Sequence, residues 1–118
     1  MPQITVDYSG PLTEAFDRRA FALALHEEVV ATAKATPEAC KTQFRRTEDA
    51  TVGADTDGHA IVHVWIGMLT GRTTETKNQL TEAVLELVRT HVKPVEGLTL
   101  HASVEVRELD DSYRKFDA

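Results

Sequence analysis

The sequence predicts an α+β fold in which two successive βαβ units form one four-stranded mixed sheet with two helices on one face. Residues 3–8 and 98–108 alternate between apolar and polar side chains, which is typical of strands. Two longer stretches carry apolar residues at helical spacing, and each lies between two predicted strands. Because a right-handed crossover through a helix makes its two strands parallel, each unit contributes one parallel pair.

The first unit begins with the strand at residues 3–8, which the turn residues 9–11 end. A helix is predicted over about residues 13–35, and it ends there because the residue before Pro37 resists helical geometry. A second strand is predicted over residues 40–48. The apolar stripe of this helix comprises Phe21, Ala22, Leu25 and Val29.

The second unit follows a polar, hairpin-like excursion over residues 50–58. Residues 59–69 are rich in β-branched side chains and nearly continuous in apolar character, which predicts a central strand covered on both faces. A helix capped by Thr73 or Thr74 runs to about residue 92, and the strand at residues 98–108 closes the unit. The buried stripe of this helix comprises Leu80, Val84, Leu87 and Val88.

One face of the predicted sheet has no helix to cover it. We expect that face to carry many apolar side chains for so small a chain, and a second subunit is the simplest cover. The sequence therefore predicts an oligomer.

Composition narrows the classes of function. The 118 residues fit one domain over residues 1–118, with no apolar run that could span a bilayer and no secretory leader, so we expect neither a membrane partner nor export. A single cysteine, Cys40, fits a reducing, cytoplasmic compartment and is predicted to be a small buried hydrophobe. The net charge of −6 argues against a nucleic-acid partner but leaves room for a small anionic substrate in a local cationic pocket.

The candidate catalytic residue is Pro2, directly after the initiator methionine. If Met1 is trimmed, Pro2 has a free secondary amine at the start of a strand. An α-amino group titrates at about 8, and both burial and a nearby cation lower that pKa toward neutrality. An amine with a pKa near 7 is a competent general base. Retention of Met1 would make the same nitrogen an amide and remove the base.

Cationic side chains supply candidate carboxylate ligands. Arg72 lies between a strand end and a helix start, where a guanidinium can bind a carboxylate through two donors. Lys41, Arg45 and Arg46 form a second cluster, although charges that protect an edge strand are the better explanation for at least two of the three. Trp65 is a candidate lining residue of the same pocket.

Metal and nucleotide sites are not indicated. His59 and His63 have the i, i+4 spacing of a zinc-binding helix, but they lie in a predicted strand, where four residues span about 13 Å. The sequence has neither a phosphate-binding GxxxxGK[ST] loop nor a GxGxxG turn. We therefore expect no metal and no cofactor.

Met1-Pro2 ahead of a strand, the two βαβ units, and Gly71-Arg72-Thr73 at the second strand–helix junction resemble the tautomerase superfamily. Within it, the chain most resembles the 5-carboxymethyl-2-hydroxymuconate isomerases. The resemblance covers nearly the whole chain and is clearest in residues 60–73 and 104–109.

This resemblance implies a cofactor-free homotrimer with a barrel-like core of three sheets, in which an N-terminal proline moves a proton along a dienol or unsaturated keto acid. Pro2 matches that proline, and Arg72 matches an arginine that holds a substrate carboxylate. Lys41 replaces a second arginine and lacks its planar fork, and Gln43 stands where another arginine is common. The tail beyond Phe116 is shorter than the tail that helps to close the site in those isomerases.

Three alternatives follow from the same residues. A decarboxylase or dehalogenase of the same superfamily would use a cationic Pro2 as an acid. A ferredoxin-like α+β binding domain would have the same element order, antiparallel neighbouring strands and no role for Pro2. A tautomerase fold that has lost its activity would explain Lys41 and the short tail.

Overall fold

The computed structural model describes residues 2–118, and it confirms the four-stranded mixed sheet with two helices. The order across the sheet is β2-β1-β3-β4, and the described residues contain no helix long and apolar enough to cross a membrane. The strands are β1 (Gln3–Ser9), β2 (Lys41–Thr47), β3 (His59–Met68) and β4 (Thr99–Glu108), and the helices are α1 (Arg18–Ala33) and α2 (Thr74–His91).

Strand pairing follows the two βαβ units. β1 pairs with β2 and β3 pairs with β4 in parallel, whereas the central strands β1 and β3 are antiparallel. The ferredoxin-like alternative is therefore wrong, because it requires antiparallel neighbours where this sheet has two parallel pairs.

The core lies between the sheet and the two helices. Side chains at the even-numbered positions of β1 and β3, such as Val6 and Val64, are buried against α1 and α2. The burial of β3 alternates strictly between buried and half-buried residues, so the expectation that both of its faces are covered is wrong within one chain. The helix residues buried in the core are Phe21, Leu25, Val29, Ala33, Leu80, Val84 and Val88. Leu87 is half-buried against this core, and Ala22 is half-buried outside it.

The sheet face opposite the helices is polar, which corrects the expectation of an apolar face. Among its side chains, Ile61 and Trp65 are the only large hydrophobic ones that the odd-numbered positions of the four strands supply. The other residues of this face, which we call the open face, are mainly Gln3, Thr5, Asp7, Lys41, Gln43, Arg45, His59, His63, Thr99, His101, Ser103, Glu105 and Arg107. An oligomer that covers this face must therefore satisfy polar groups as well as bury area.

Helix α1 begins five residues later than the sequence predicts, at Arg18 instead of residue 13. The preceding chain forms a 3₁₀ turn over Gly10–Leu12, and Phe16 then makes an isolated antiparallel bridge to Val92. Asp17 is the N-cap, since its carboxylate accepts a hydrogen bond from the Ala20 amide at 3.1 Å. The helix also ends two residues early, at Ala33, while the other element ends differ from the predicted ones by one residue at most.

Replacement of the cap should show where this helix starts. Asp17→Ala is expected to lower the free energy of unfolding by about 1 kcal/mol, because it removes the acceptor for an otherwise unpaired amide. The measurement is urea unfolding at a fixed protein concentration, with the exposed Glu14→Ala as the control. Equal losses in the two variants would contradict Asp17 as the cap.

Candidate active site

Pro2 is buried and lies directly before β1. Its carbonyl oxygen accepts a hydrogen bond from the backbone N–H of Lys41 at 3.3 Å, which ties the start of the chain to the start of β2. Whether Met1 is removed is a question that lies outside the described residues. The position of Pro2 is thus fixed by backbone pairing, whatever its chemical role.

Three strand ends meet beside Pro2. The first residue of β1, Gln3, is paired with Lys41 on one side and with Gly67, near the end of β3, on the other. Because β1 and β2 start where β3 ends, the segment that follows β3 leaves the sheet at this same end of the strands. Sheet topology therefore brings Pro2, Lys41 and the turn that carries Arg72 to one end of the sheet, which we call the proline end.

The guanidinium of Arg72 bonds to the backbone of two neighbouring segments. Its Nε and Nη2 donate to the carbonyl oxygen of Ala33 at 3.3 and 3.1 Å, and its Nη1 donates to that of Leu69 at 3.3 Å. The Ala33 carbonyl belongs to the last turn of α1, where carbonyls lack intrahelical partners. Arg72 therefore holds the end of α1 against the turn after β3.

Arg72 keeps part of its binding capacity. A guanidinium has five N–H donors, and three of them are used in these bonds. Both acceptors are neutral carbonyls, and no acidic side chain of residues 2–118 forms a salt bridge with Arg72. Two donors and an unneutralised positive charge thus remain at the proline end.

The carboxy-terminal tail returns to the proline end, which the sequence did not predict. The Nε2 of Gln3 donates to the hydroxyl of Tyr113 at 3.0 Å. The pKa of Asp117 is held below its usual range mainly by its bond to Lys115 and further by the charge of Lys41. A polar tail carries no periodic pattern, so only its two aromatic residues, Tyr113 and Phe116, could have indicated a docking point.

Trp65 lies on the open face, away from the strand ends. It is paired with Thr5 and Glu105, and its Nε1 donates to an oxygen of Asp7 at 3.4 Å. The guanidinium of Arg107 lies 4.1 Å from its ring centroid, a cation–π contact. The structure therefore groups Trp65 with the charged residues of the open face rather than with Pro2.

Asp7 is the centre of this charged group. Arg45 donates to both of its carboxylate oxygens, at 2.7 and 3.1 Å, which lowers the pKa of Asp7 below its ordinary value of 3.8 despite partial burial. Arg45 is thereby explained as a sheet-face ion pair on the edge strand β2. Its neighbour Arg46 lies beside Gly10, where an added Cβ would come within 2.8 Å of the guanidinium.

The remaining candidate side chains have packing partners. Cys40 is buried, its thiol bonds to the Thr36 carbonyl, and burial raises the pKa of that thiol. His63 bonds to the hydroxyl of Ser103 and packs edge-on against Trp65. No group of three or more metal-ligating side chains occurs within residues 2–118.

Loss of the Arg72 guanidinium should destabilise the chain before any substrate is considered. Arg72→Met is expected to lower the free energy of unfolding by about 1–3 kcal/mol, because it removes charge-assisted bonds to the end of α1. The exposed Arg19→Met is the control and should change it by less than about 0.5 kcal/mol. Chemical unfolding at equal protein concentrations measures both; similar values for the two variants would contradict the structural role.

The Asp7–Arg45 pair should make the free energy of unfolding depend on pH in the acidic range. Because the pKa of Asp7 is lowered in the folded state, its contribution is complete above about pH 4 to 5 and is lost as the pH falls through the folded pKa. Asp7→Asn should therefore destabilise the chain at pH 7 and make less difference near pH 2 to 3, in unfolding measured across that range. If the pair acts alone, the double variant Asp7→Asn with Arg45→Gln loses no more than the single one.

Comparisons with known proteins agree with this architecture. A family model described as 5-carboxymethyl-2-hydroxymuconate isomerase matches residues 2–117. A search of curated proteins gives no match. The similar solved structures include a 5-carboxymethyl-2-hydroxymuconate isomerase from Deinococcus radiodurans R1, with 18% identity over 98% of this chain and 90% of that chain and a TM-score of 0.81.

Two further structures place the fold in a wider group. A fused wild-type 4-OT, described as a symmetric trimer, has 21% identity over 96% of this chain and 89% of that chain, with a TM-score of 0.76. A macrophage migration inhibitory factor-like protein from Entamoeba histolytica has 16% identity over 98% of this chain and 95% of that chain, with a TM-score of 0.67. At these identities the structures show a shared fold. With the family match over nearly its full length, the chain belongs to the 5-carboxymethyl-2-hydroxymuconate isomerase family.

Proposed function

We propose that the chain is a cofactor-independent isomerase, or tautomerase, that moves a proton within an unsaturated keto or hydroxy acid of the hydroxymuconate kind. Pro2 is the general base, and Arg72 and Lys41 bind the substrate carboxylates. The observation that carries the proposal is the burial of Pro2 at the sheet end where β1 and β2 begin and β3 leads into the turn of Arg72.

The base in this proposal is the nitrogen of Pro2 after removal of Met1. The neutral amine takes a proton from a carbon next to the activated carbonyl, which leaves a dienolate and a prolinium. The prolinium then returns the proton to a carbon further along the conjugated system. Burial and nearby cations both favour the neutral amine, since each disfavours the charged form.

Arg72 and Lys41 act as the anion-binding groups. The two donors that Arg72 does not spend on backbone carbonyls are the number that one carboxylate accepts. Lys41 adds a second positive charge, without a planar fork, from the first position of β2. Both charges also stabilise the dienolate as it forms, which is where electrostatic groups lower a barrier.

The proposal includes the assembly and location of the enzyme. We propose a homotrimer of single-domain chains, because solved structures with this fold include symmetric trimers and the polar open face can accept a partner of matching polarity. We propose a cytoplasmic location because the single cysteine, Cys40, fits a reducing compartment. Trp65 lies on the open face, away from Pro2 of its own chain. In such an assembly it can border a substrate site only where a neighbouring chain packs against that face.

The test is the rate of ketonisation of 2-hydroxymuconate and phenylenolpyruvate, followed by ultraviolet absorbance, on tag-free protein whose intact mass shows loss of Met1. Pro2→Ala should reduce kcat/KM by about 100-fold or more, the usual contribution of a general base. Pro94→Ala, at an exposed proline after α2, is the control and should keep full activity.

A second variant separates the amine from the side chain. One extra residue ahead of Pro2 turns its nitrogen into an amide and should abolish activity as fully as Pro2→Ala does. Full activity in either variant, or wild-type turnover no faster than buffer, would refute the proposed base. Release of carbon dioxide or halide in place of ketonisation would instead favour the decarboxylase or dehalogenase alternative.

Substrate binding is tested with Lys41→Gln, which leaves the backbone bonds of Arg72 in place, and with Arg72→Lys at a temperature where unfolding measurements show that the variant is folded. Each should lower kcat/KM for a dicarboxylate by about 10-fold to 100-fold, the effect expected for one lost charge-assisted contact. The loss should appear mainly in KM if the contact is equally strong in the ground state and in the transition state. A monocarboxylate substrate that loses nothing in Lys41→Gln would assign Lys41 to the second carboxylate, whereas an unchanged dicarboxylate rate would exclude it.

A further inference from the structure

Two histidines face each other at the opposite end of the sheet from Pro2. The Nδ1 of His59, at the start of β3, lies 2.9 Å from the Nε2 of His101 on β4. Both side chains belong to the open face, and His101 is exposed to solvent. In the single chain, two imidazole nitrogens thus face each other at a position that solvent reaches.

A carboxylate fixes the orientation of the first ring. The Nε2 of His59 lies 3.1 Å from Oδ2 of Asp55, so its N–H donates to that carboxylate. Asp55 is held by a tight turn, in which its backbone N–H and C=O pair with those of Val52 at 2.9 and 3.0 Å. Gly53, with φ of +59°, allows that turn. The polar loop is therefore folded in a way that delivers a carboxylate to His59.

This orientation has a consequence for the other nitrogen. A neutral histidine whose Nε2 carries the hydrogen presents a lone pair at Nδ1. That lone pair is aimed at the Nε2 of His101, so in the metal-free pair a proton must lie between the two nitrogens. In many metal sites, a carboxylate accepts the N–H of one imidazole nitrogen while the lone pair of the other nitrogen binds the metal. The carboxylate thereby fixes the orientation of the ring.

We propose that His59 and His101 form a binding site for a borderline transition-metal ion, of the Zn²⁺ or Ni²⁺ class, with Asp55 as the residue that orients His59. Imidazole nitrogen suits these ions better than Mg²⁺ or Ca²⁺, which prefer oxygen. Two ligands at Zn–N distances of about 2.0–2.1 Å lie about 3.3 Å apart in a tetrahedral site, so the rings need to separate by about 0.4 Å. Water completes the coordination.

The local charge favours a cation at this end of the sheet. His59 lines a cavity of about 240 Å³ whose charged members, Glu48, Asp49 and Asp57, are all acidic. Together with Asp55 they place four carboxylates on the His59 side of the pair, which raises the local concentration of divalent cations. An anion or a phosphate would meet the opposite field.

The site is separate from the proposed base. Nine residue-to-residue steps along β3, at about 3.3 Å each, separate His59 from Met68 at the proline end, a distance of nearly 30 Å. Metal binding here therefore neither requires nor excludes the proposed isomerase activity. The experiment that tests the metal site therefore measures metal binding and not catalytic turnover.

The experiment is titration of tag-free protein with ZnCl₂ and NiCl₂, by calorimetry and by ¹⁵N-resolved NMR of the histidine rings. We expect one equivalent per chain, with the His59 and His101 ring signals shifting together. His59→Asn and His101→Asn should each weaken binding at least ten-fold, and Asp55→Asn by about 10-fold to 100-fold, as for other residues behind a metal-bound histidine. His91→Gln, at the end of α2, is the matched control and should bind as the wild type does.

The ring signals of the wild-type protein decide the case even if a variant folds poorly. Rings of His59 and His101 that do not respond to excess zinc would overturn the proposal. Binding that survives both histidine substitutions but is lost in Glu48→Gln with Asp49→Asn would also overturn it, because the acidic loop alone would then hold the ion.

Discussion

The side-chain alternation of β1, held in register between β2 and β3, is the constraint on which the rest of the structure depends. Ile4, Val6 and Tyr8 point to the helices and are buried, whereas the residues between them point to the open face. A shift of one residue would exchange the two sets and place charged groups in the core. The same register fixes the position of Pro2, because its carbonyl is bonded to the first residue of β2.

The polarity of the open face changes the argument for assembly. An apolar sheet face would require a partner simply to leave water, but this face carries a bidentate Asp7–Arg45 pair and a cation–π contact between Arg107 and Trp65. Burial of such groups is favourable only when their bonds are kept, so an interface on this face would have to preserve the contacts that one chain already makes. If a second copy binds to this face, its polar groups can make the contact specific, whereas its hydrophobic area is small.

The sequence predicted the strands and helices whose apolar side chains recur at regular spacing. It did not predict the start of α1, which depends on local capping. Six strands and helices, their parallel pairs and the core residues Leu25 and Val84 followed from apolar spacing. The start of α1 did not, because Thr13 and Asp17 are both acceptable caps by residue type and the bridge between Phe16 and Val92 decides between them. The bare face was predicted to be apolar because β3 was read as a uniform run, although its half-buried positions include two histidines. Pro2, Lys41 and Arg72 reached one sheet end as the topology demands, but the bonds of Arg72 to backbone carbonyls have no sequence signal.

Those bonds bear on the substrate role proposed for Arg72, because under that proposal one side chain serves both the fold and a substrate. A lysine in place of Arg72 has a single ammonium and could not hold Ala33 and Leu69 while it presents two parallel donors to a carboxylate. The five donors of a guanidinium divide between the two tasks, and the bonds to Ala33 keep the group in place when no substrate is bound. An anion-binding group that is already fixed loses little side-chain entropy on binding, so its interaction energy is available to the reaction. Under the proposed function, stability and recognition therefore draw on the same side chain, because Arg72 also joins the turn after β3 to the end of α1.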